Sequence, residues 1–438
     1  MYWCMTFVSP SRPTNVATET AKMPRMPLPM DGRLFAASRQ TLIDQLGYLL
    51  ERFAPSAPIT DFFQWAGSSE NPQMDAWLDL CGVNATVHLA TELLGDSADQ
   101  ATPMSAYQVF ETLLERISGP ASRALIEASN YATLECLANP QATAVALLQD
   151  AITLAAGASV FQASREAVRF RLIAEQYVRL TARATLEAID GSVWSLLVVR
   201  AESCRLAAES VRDRKIGEML RQGLQDRFRG EASDSMTPVS RRVTSDRDSR
   251  QSFAVLGYYA AILEGALRPE TLSGLADDTT FQEALETASQ MIRLLNEIGT
   301  PLLTSDWARS QFARLLDQKT VTCEGDLVSV LLAGRGQLGD WGARICQDID
   351  RGGRNLCLTG LLHLRSTVAI PRICDRIDFL AGAYANHRRY LDRLAQDITV
   401  QVWNEGLRKI IIGFVEFYER TLAGSSTTTA TIKILAVT

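Results

Sequence analysis

The chain has 438 residues, of which 47% are apolar and 21% are charged, a balance typical of a globular protein with a sizeable core. A formal net charge of −6 argues against a nucleic-acid-binding surface, which needs an excess of basic side chains. The eight cysteines form no CxxC pair and no apolar run is long enough for a membrane span, so we expect a cytoplasmic protein with reduced thiols.

Residues 1–33 are expected to form a flexible N-terminal arm, because they show no ordered pattern of apolar residues. From residue 34 to 422 the spacing of apolar residues predicts one all-α domain, a helical barrel or bundle of about ten to twelve helices. No proline lies between Pro140 and Pro238. This is expected for long helices, because proline disrupts the interior of a helix. Apolar residues there recur at three- and four-residue steps, which predicts helices with one buried stripe. One such set is Phe170, Ile173, Tyr177 and Leu180.

Two polar segments interrupt this pattern. Residues 230–250 are rich in Ser, Asp and Arg and contain few apolar residues, so we predict a mobile loop within the domain. Residues 423–438 begin with a run of Ser and Thr and are predicted to form a low-complexity tail.

The most informative segment is RLLNEIGTPLLT, residues 293–304. On a continuous helix Asn296, Thr300 and Thr304 would stack along one face, because they are spaced by four residues. Oxygen-bearing side chains in apolar surroundings need partners, and Mg²⁺ is a cation that takes oxygen ligands.

This segment resembles the second metal motif of class I terpene synthases, in which an Asn or Asp, a Ser or Thr and a Glu bind Mg²⁺. The resemblance implies that Asn296, Thr300 and Thr304 are metal ligands, with Thr304 in the place of the family's Glu. Glu297 replaces the usual Asp, and Pro301 is expected to kink the helix inside the motif.

Other residues stand where the family has functional side chains. Arg250 matches the arginine that senses the diphosphate, and Arg389 and Tyr390 match a pair that closes the pocket. The family's Asp-rich motif is represented only by Asp150, which the resemblance makes a fourth metal ligand. Aromatic rings would line the hydrocarbon pocket and stabilise carbocations. These are Trp194, Trp307, Trp341, Phe161 and Phe253.

The resemblance implies a terpene synthase-like enzyme that ionises and cyclises a linear prenyl diphosphate with Mg²⁺, a carbon–oxygen lyase for which a homodimer is a compatible assembly. Two other classes stay open: a non-catalytic α-helical interaction or regulatory protein, and a prenyl-diphosphate-binding enzyme of another reaction type. The terpene hypothesis requires one apolar cavity whose mouth gathers the metal and diphosphate residues. An interaction protein requires an exposed apolar groove and no such convergence.

Overall fold

The computed structural model describes residues 32–53, 57–68, 74–117, 130, 133–139, 141, 165–186, 188, 194–233, 250–322, 325–350, 355–362, 364–396 and 405–423. Regular structure in these ranges is helical, with one isolated antiparallel bridge between Asp326 and Arg365 and no β-strand. The predicted all-α fold class is confirmed. None of the helices in these ranges combines the length and the apolar content that crossing a bilayer requires.

The helices fall into two runs along the chain. The first run is α1 (Gly32–Phe53), α2 (Ala57–Gly67), α3 (Met74–Cys81), α4 (Val83–Leu94), a 3-10 helix (Gly95–Ala101), α5 (Thr102–Ile117), α6 (Arg165–Thr181), α7 (Trp194–Ser210) and α8 (Arg214–Ser233). The second run is α9 (Arg250–Leu267), α10 (Leu272–Leu275), α11 (Thr279–Ile298), α12 (Thr300–Thr304), α13 (Asp306–Thr322), α14 (Leu327–Asp350), α15 (Ser366–Gln396) and α16 (Glu405–Thr421).

The described ranges hold sixteen α-helices, more than the predicted number, which is therefore wrong. Residues at helix boundaries divide the chain into more helices than the apolar pattern predicts. Gly82 adopts φ 78° between α3 and α4, a left-handed conformation that glycine tolerates best. Asp278 caps the start of α11, since its carboxylate accepts a hydrogen bond from the Phe281 N–H at 2.7 Å.

Three element edges differ from the predicted boundaries. α1 begins at Gly32, inside the predicted arm, and residues 1–31 lie outside the described ranges. α8 continues to Ser233 and α9 begins at Arg250, so both ends of the predicted mobile loop are helical, and residues 234–249 lie outside the described ranges. Residues 424–438 of the predicted tail also lie outside them. On α6, Leu180 of the predicted buried stripe is 59% exposed, whereas Tyr177 is buried.

The core consists of two groups of buried apolar side chains that share helices α4, α5 and α7. On α7, Leu196 and Val199 belong to the group formed with α1, α2, α3 and α6. Cys204 and Ala207, further along the same helix, belong to the group formed with α8, α9 and α11 to α16. One helix therefore stabilises both groups.

A buried charge cluster joins α5, α7 and α8 where the two groups meet. Arg200 Nε donates to Glu111 Oε2 at 2.5 Å, and Arg227 pairs with the other oxygen of the same carboxylate. Arg200 also donates to Thr133 Oγ1 and Asn130 Oδ1, each at 2.9 Å. Burial alone would raise the pKa of Glu111, but the charges of the two arginines outweigh burial and lower that pKa to about 2. The carboxylate is therefore ionised near neutral pH.

Candidate functional site

The proposed metal motif forms a helix end followed by a new helix, not one continuous helix. α11 ends before Gly299, which adopts φ 92° and ψ 150°, and α12 begins at Thr300 with Pro301 in its first turn. This positive-φ backbone is essentially restricted to glycine, and Pro301 has no N–H to continue the helical hydrogen bonds. The expectation that Asn296, Thr300 and Thr304 stack along one helix face is therefore wrong.

Both threonine hydroxyls of the motif donate hydrogen bonds within the protein. Thr300 Oγ1 donates to the Glu419 carbonyl at 2.7 Å, and the Thr300 N–H donates to the Leu422 carbonyl at 3.2 Å. Thr304 Oγ1 donates to the Thr300 carbonyl at 2.8 Å, and Thr304 is exposed. The last carbonyls of a helix have no partner within it, so Thr300 caps the end of α16.

Side chains from α14 and the loop that follows it cap the end of α11. Arg344 Nε donates to the Asn296 carbonyl, and Asn355 Nδ2 donates to the Glu297 carbonyl, each at 2.6 Å. The Glu297 carboxylate accepts from Arg293 Nε at 3.0 Å and from a backbone N–H of the loop at 2.6 Å. These contacts give the motif a structural function as a junction between helices.

Arg250 and Tyr390 both contact α11, but near its other end. Arg250 Nη1 donates to Glu286 Oε1 at 3.2 Å, and the Tyr390 hydroxyl donates to Glu283 Oε2 at 2.5 Å. Asn296 lies ten residues beyond Glu286, about 15 Å along the helix at roughly 1.5 Å per residue. The proposed diphosphate residues and the proposed metal ligands are therefore separated along α11.

The remaining predicted residues that the structure describes do not join the others in one site. Arg389 is exposed and donates to Asn386 on its own helix. Phe253 is buried in the core, whereas Trp307 is 62% exposed. No group of three or more His, Cys, Asp or Glu side chains in the described ranges is arranged to hold a metal ion. Outside the described residues or side chains lie Asp150, Phe161, Trp194 and Trp341.

A surface groove of about 340 Å³ lies between α13 and α15. We call it the α13/α15 groove. It is lined by Asp306, Arg309, Ser310, Phe312, Ala313, Cys374, Ile377 and Asp378. Among the predicted catalytic and metal residues that the structure describes, none lines this groove or a second pocket of about 210 Å³ between α7 and α8.

Arg309 fixes the geometry of one end of the α13/α15 groove. Its Nε lies 2.9 Å from Asp378 Oδ1 on α15, and its Nη2 pairs with Asp306 on α13. Its Nη1 donates to the Leu302 carbonyl at 2.9 Å, in the last turn of α12. One guanidinium group therefore binds three helices together at this end.

Two large exposed aromatic residues each follow, in sequence, an aspartate that lines the groove. Trp307 follows Asp306 and is 62% exposed, and Phe379 follows Asp378 and is 61% exposed. Both lie off the buried stripes of their helices, which place residues such as Phe312 in the core. Apolar side chains clustered on a surface groove are typical of a protein interaction site.

The thiol of Cys374, which lines the α13/α15 groove, lies near three aspartates. The pKa of the Cys374 thiol is raised to about 11, first by burial and then by the negative charges of Asp317, Asp378 and Asp375. Cys374 is therefore a neutral thiol near pH 7, and thiols are poor nucleophiles in that form.

This groove is not predicted from the sequence, although the sequence of α15 alone indicates that Phe379 is exposed. Phe379 breaks the three- and four-residue spacing of Ile373, Ile377 and Leu380, which are buried on α15. An aromatic residue out of phase with a buried stripe indicates a ring on the surface. The pairing of α13 with α15 depends on tertiary contacts that this local signal does not contain.

No protein-family model matches the sequence, and neither a curated protein nor a solved structure matches the chain. The similarity to terpene synthases therefore rests on the sequence motifs described above. Binding of a prenyl diphosphate and of Mg²⁺ stays a prediction. What the geometry adds is the helix junction at Gly299 and the groove between α13 and α15.

Proposed function

We propose that the chain is a non-catalytic α-helical interaction protein that binds a partner protein through the α13/α15 groove. The observation that carries the proposal is the pair of exposed aromatic residues, Trp307 and Phe379, each next in sequence to an aspartate that lines the open groove. A ring that is about 60% exposed leaves roughly 90–150 Å² to bury, which at about 25 cal/mol per Å² offers roughly 2–4 kcal/mol. Exposed rings of this kind commonly form the centre of a binding interface.

The separation of the predicted catalytic residues supports this proposal over the terpene synthase hypothesis. A diphosphate and its metal ions need basic and oxygen ligands within one site. Arg250 and Tyr390 contact the first half of α11, whereas Asn296 and Thr300 lie at its far end and beyond. The Thr300 hydroxyl is also engaged with α16.

Selection from a random peptide library displayed on phage, with the immobilised full-length protein as target, tests the proposal. We expect enriched peptides to bind the wild-type protein and to lose at least about tenfold in affinity for a Trp307→Ala/Phe379→Ala variant. The matched control is Tyr48→Ala/Leu267→Ala, which removes two exposed apolar side chains elsewhere on the surface. Circular dichroism of all three proteins shows that they are folded.

Two results would overturn the proposal. The first is the absence of any enriched peptide, or equal binding of the enriched peptides to all three proteins. The second is formation of a terpene from geranyl, farnesyl or geranylgeranyl diphosphate in the presence of Mg²⁺. That second result would restore the enzyme hypothesis, and an Arg250→Ala variant would then be expected to lose the activity.

A further inference from the structure

The end of α16 lies close to the α13/α15 groove. The Leu422 carbonyl, just after α16, accepts a hydrogen bond from the Thr300 N–H at 3.2 Å. Thr300 begins the short helix α12, and the Leu302 carbonyl in that helix accepts from Arg309 Nη1 at 2.9 Å. Arg309 lines the groove. Two hydrogen bonds and less than one helical turn therefore separate Leu422 from the groove, a distance of no more than about 15 Å.

The sequence that follows Ala423 has two parts. Residues 424–430, GSSTTTA, contain no charged residue and no large apolar residue, a composition typical of a linker. Residues 431–437, TIKILAV, contain five apolar residues, and we call them the tail segment. Apolar side chains lower their free energy when a protein surface removes them from water. The tail segment therefore favours binding to a surface within its reach.

The linker is long enough for the tail segment to reach the groove. Its seven residues span at most about 23–25 Å when fully extended, which exceeds the distance of about 15 Å from Leu422 to Arg309. Residues 306–313 of α13, which include those that line the groove, rise about 10 Å at roughly 1.5 Å per residue. Three or four extended residues of the tail segment cover that length. A short flexible linker also gives an effective concentration of about millimolar, so a weak affinity is enough to fill the groove.

The groove offers apolar contacts beyond the end where Arg309 pairs with aspartates. Phe312 and Ala313 of α13 and Cys374 and Ile377 of α15 line it, and the raised pKa of Cys374 keeps its thiol neutral near pH 7. An apolar cavity of about 150 Å³ holds one benzene molecule, so a groove of about 340 Å³ has room for about two aliphatic side chains. A short apolar segment fits this volume better than a whole helix does.

We propose that the tail segment binds in the α13/α15 groove of its own chain, with isoleucine or leucine side chains in its apolar part, and that it competes there with the partner protein. The competition rests on the proposed function, whereas docking of the tail segment does not. A partner binds only the fraction of molecules whose groove is free, so the tail segment lowers the apparent affinity of the partner by that fraction.

Photo-crosslinking in the full-length protein tests the docking. A Leu435→benzoylphenylalanine variant is irradiated at about micromolar concentration, where the tethered segment outcompetes other molecules, and the cross-linked peptides are identified by mass spectrometry. We expect cross-links within one molecule to residues 306–313 of α13 or 374–378 of α15. Adding Ser310→Arg, an exposed lining position, should abolish them, whereas adding Gln318→Arg, exposed on α13 but not a lining residue, should retain them. Circular dichroism of each variant shows that it is folded.

Two results would overturn the docking. The first is cross-links that do not concentrate on the groove or that are unchanged by Ser310→Arg. The second is cross-links between two molecules in place of those within one.

The phage-displayed library tests the competition and keeps the two proposals apart. Library peptides should bind an Ile432→Ser/Leu435→Ser variant about threefold or more tightly than the wild-type protein, and a Thr427→Ala/Thr429→Ala control should bind like the wild-type protein. Equal affinity for all three would overturn the competition. Groove cross-links without any enriched peptide, on either the wild-type protein or the Ile432→Ser/Leu435→Ser variant, would overturn the proposed function and retain the docked tail segment. Enriched peptides that require Trp307 and Phe379, without groove cross-links, would do the reverse.

Discussion

Replacing Glu111 with Gln is expected to destabilise the protein by about 3–5 kcal/mol near pH 7, the usual cost of breaking a buried ion pair by removing one partner. The side chains of Glu111 and Arg200 are only 5% and 3% exposed, so water cannot replace the lost carboxylate. Arg227 pairs with the same carboxylate, and the substitution therefore removes the counter-charge that two guanidinium groups share. Gln retains the volume of Glu, so the effect comes from charge and not from a cavity.

The pH dependence of this effect has a defined sign. The folded protein lowers the pKa of Glu111 from 4.5 to about 2, because the two arginines outweigh the opposing effect of burial. A lowered pKa stabilises the folded state above the unfolded pKa, and that stabilisation is lost as the pH falls toward the folded pKa. The stability difference between the wild-type protein and Glu111→Gln should therefore shrink between about pH 4.5 and about pH 2.

Urea unfolding followed by circular dichroism at about pH 7 and about pH 3 measures this difference. The control is Glu209→Gln, which removes a partner of Arg205 where the glutamate is 47% exposed, and it should cost less than about 1 kcal/mol. A second variant, Glu111→Leu/Arg200→Met, removes both charges of the buried pair and should recover part of the loss. The reasoning is refuted if Glu111→Gln at about pH 7 stays within about 1 kcal/mol of the wild-type protein.

Three further predictions concern single side chains. Tyr107→Phe should leave stability unchanged or raise it by about 1 kcal/mol in thermal unfolding, because the buried Tyr107 hydroxyl has no hydrogen-bond partner among the described residues. Tyr384→Phe, in contrast, removes a donor to a carboxylate on α16 and should destabilise the protein. Gly299→Ala should cost about 1–3 kcal/mol, because φ is 92° there, while the control Gly336→Ala, exposed inside α14 with open space around it, should stabilise by roughly 0.5–1 kcal/mol. Cys374 should react slowly with iodoacetamide near pH 7 and faster as the pH approaches about 11, as followed by mass spectrometry, because burial and nearby aspartates raise its pKa to about 11.

The helical class could be predicted from the sequence because its signals are local. The interval after Pro140 lacks proline and contains α6, α7 and α8, and Asp278 marks the start of α11 as a helix cap. The helix end at Gly299 was also readable, since Gly after a helix and Pro in the first turn of the next are common boundary residues. The four-residue spacing instead placed the three predicted ligands on one face of a helix that Pro301 was expected only to kink, and that expectation is wrong because the helix ends before Gly299.

Long-range contacts could not be predicted in the same way. Glu111 and Arg200 are 89 positions apart, and nothing in their local sequences pairs them. Thr300 contacts Glu419 across 119 positions, so its role in capping α16 becomes visible only after α12 and α16 pack together. The groove has the same origin, because Arg309 and Asp378 meet only when α13 lies against α15. The periodicity of apolar residues predicts which face of a helix is buried, but it does not predict which other helix packs against that face.

The break at Gly299 and the α13/α15 groove are physically connected. Gly299 ends α11 and lets the chain enter α12, and the last turn of α12 offers the Leu302 carbonyl to Arg309. The same guanidinium group binds Asp378 at 2.9 Å and so holds α15 against α13 at the end of the groove that Asp306 and Asp378 line. A continuous helix through Thr300 would carry the following residues along the axis of α11 and remove this arrangement. The segment that resembles a metal motif therefore contributes to the groove by ending a helix, and its sequence suits that function because Gly299 supplies the backbone conformation that the turn requires.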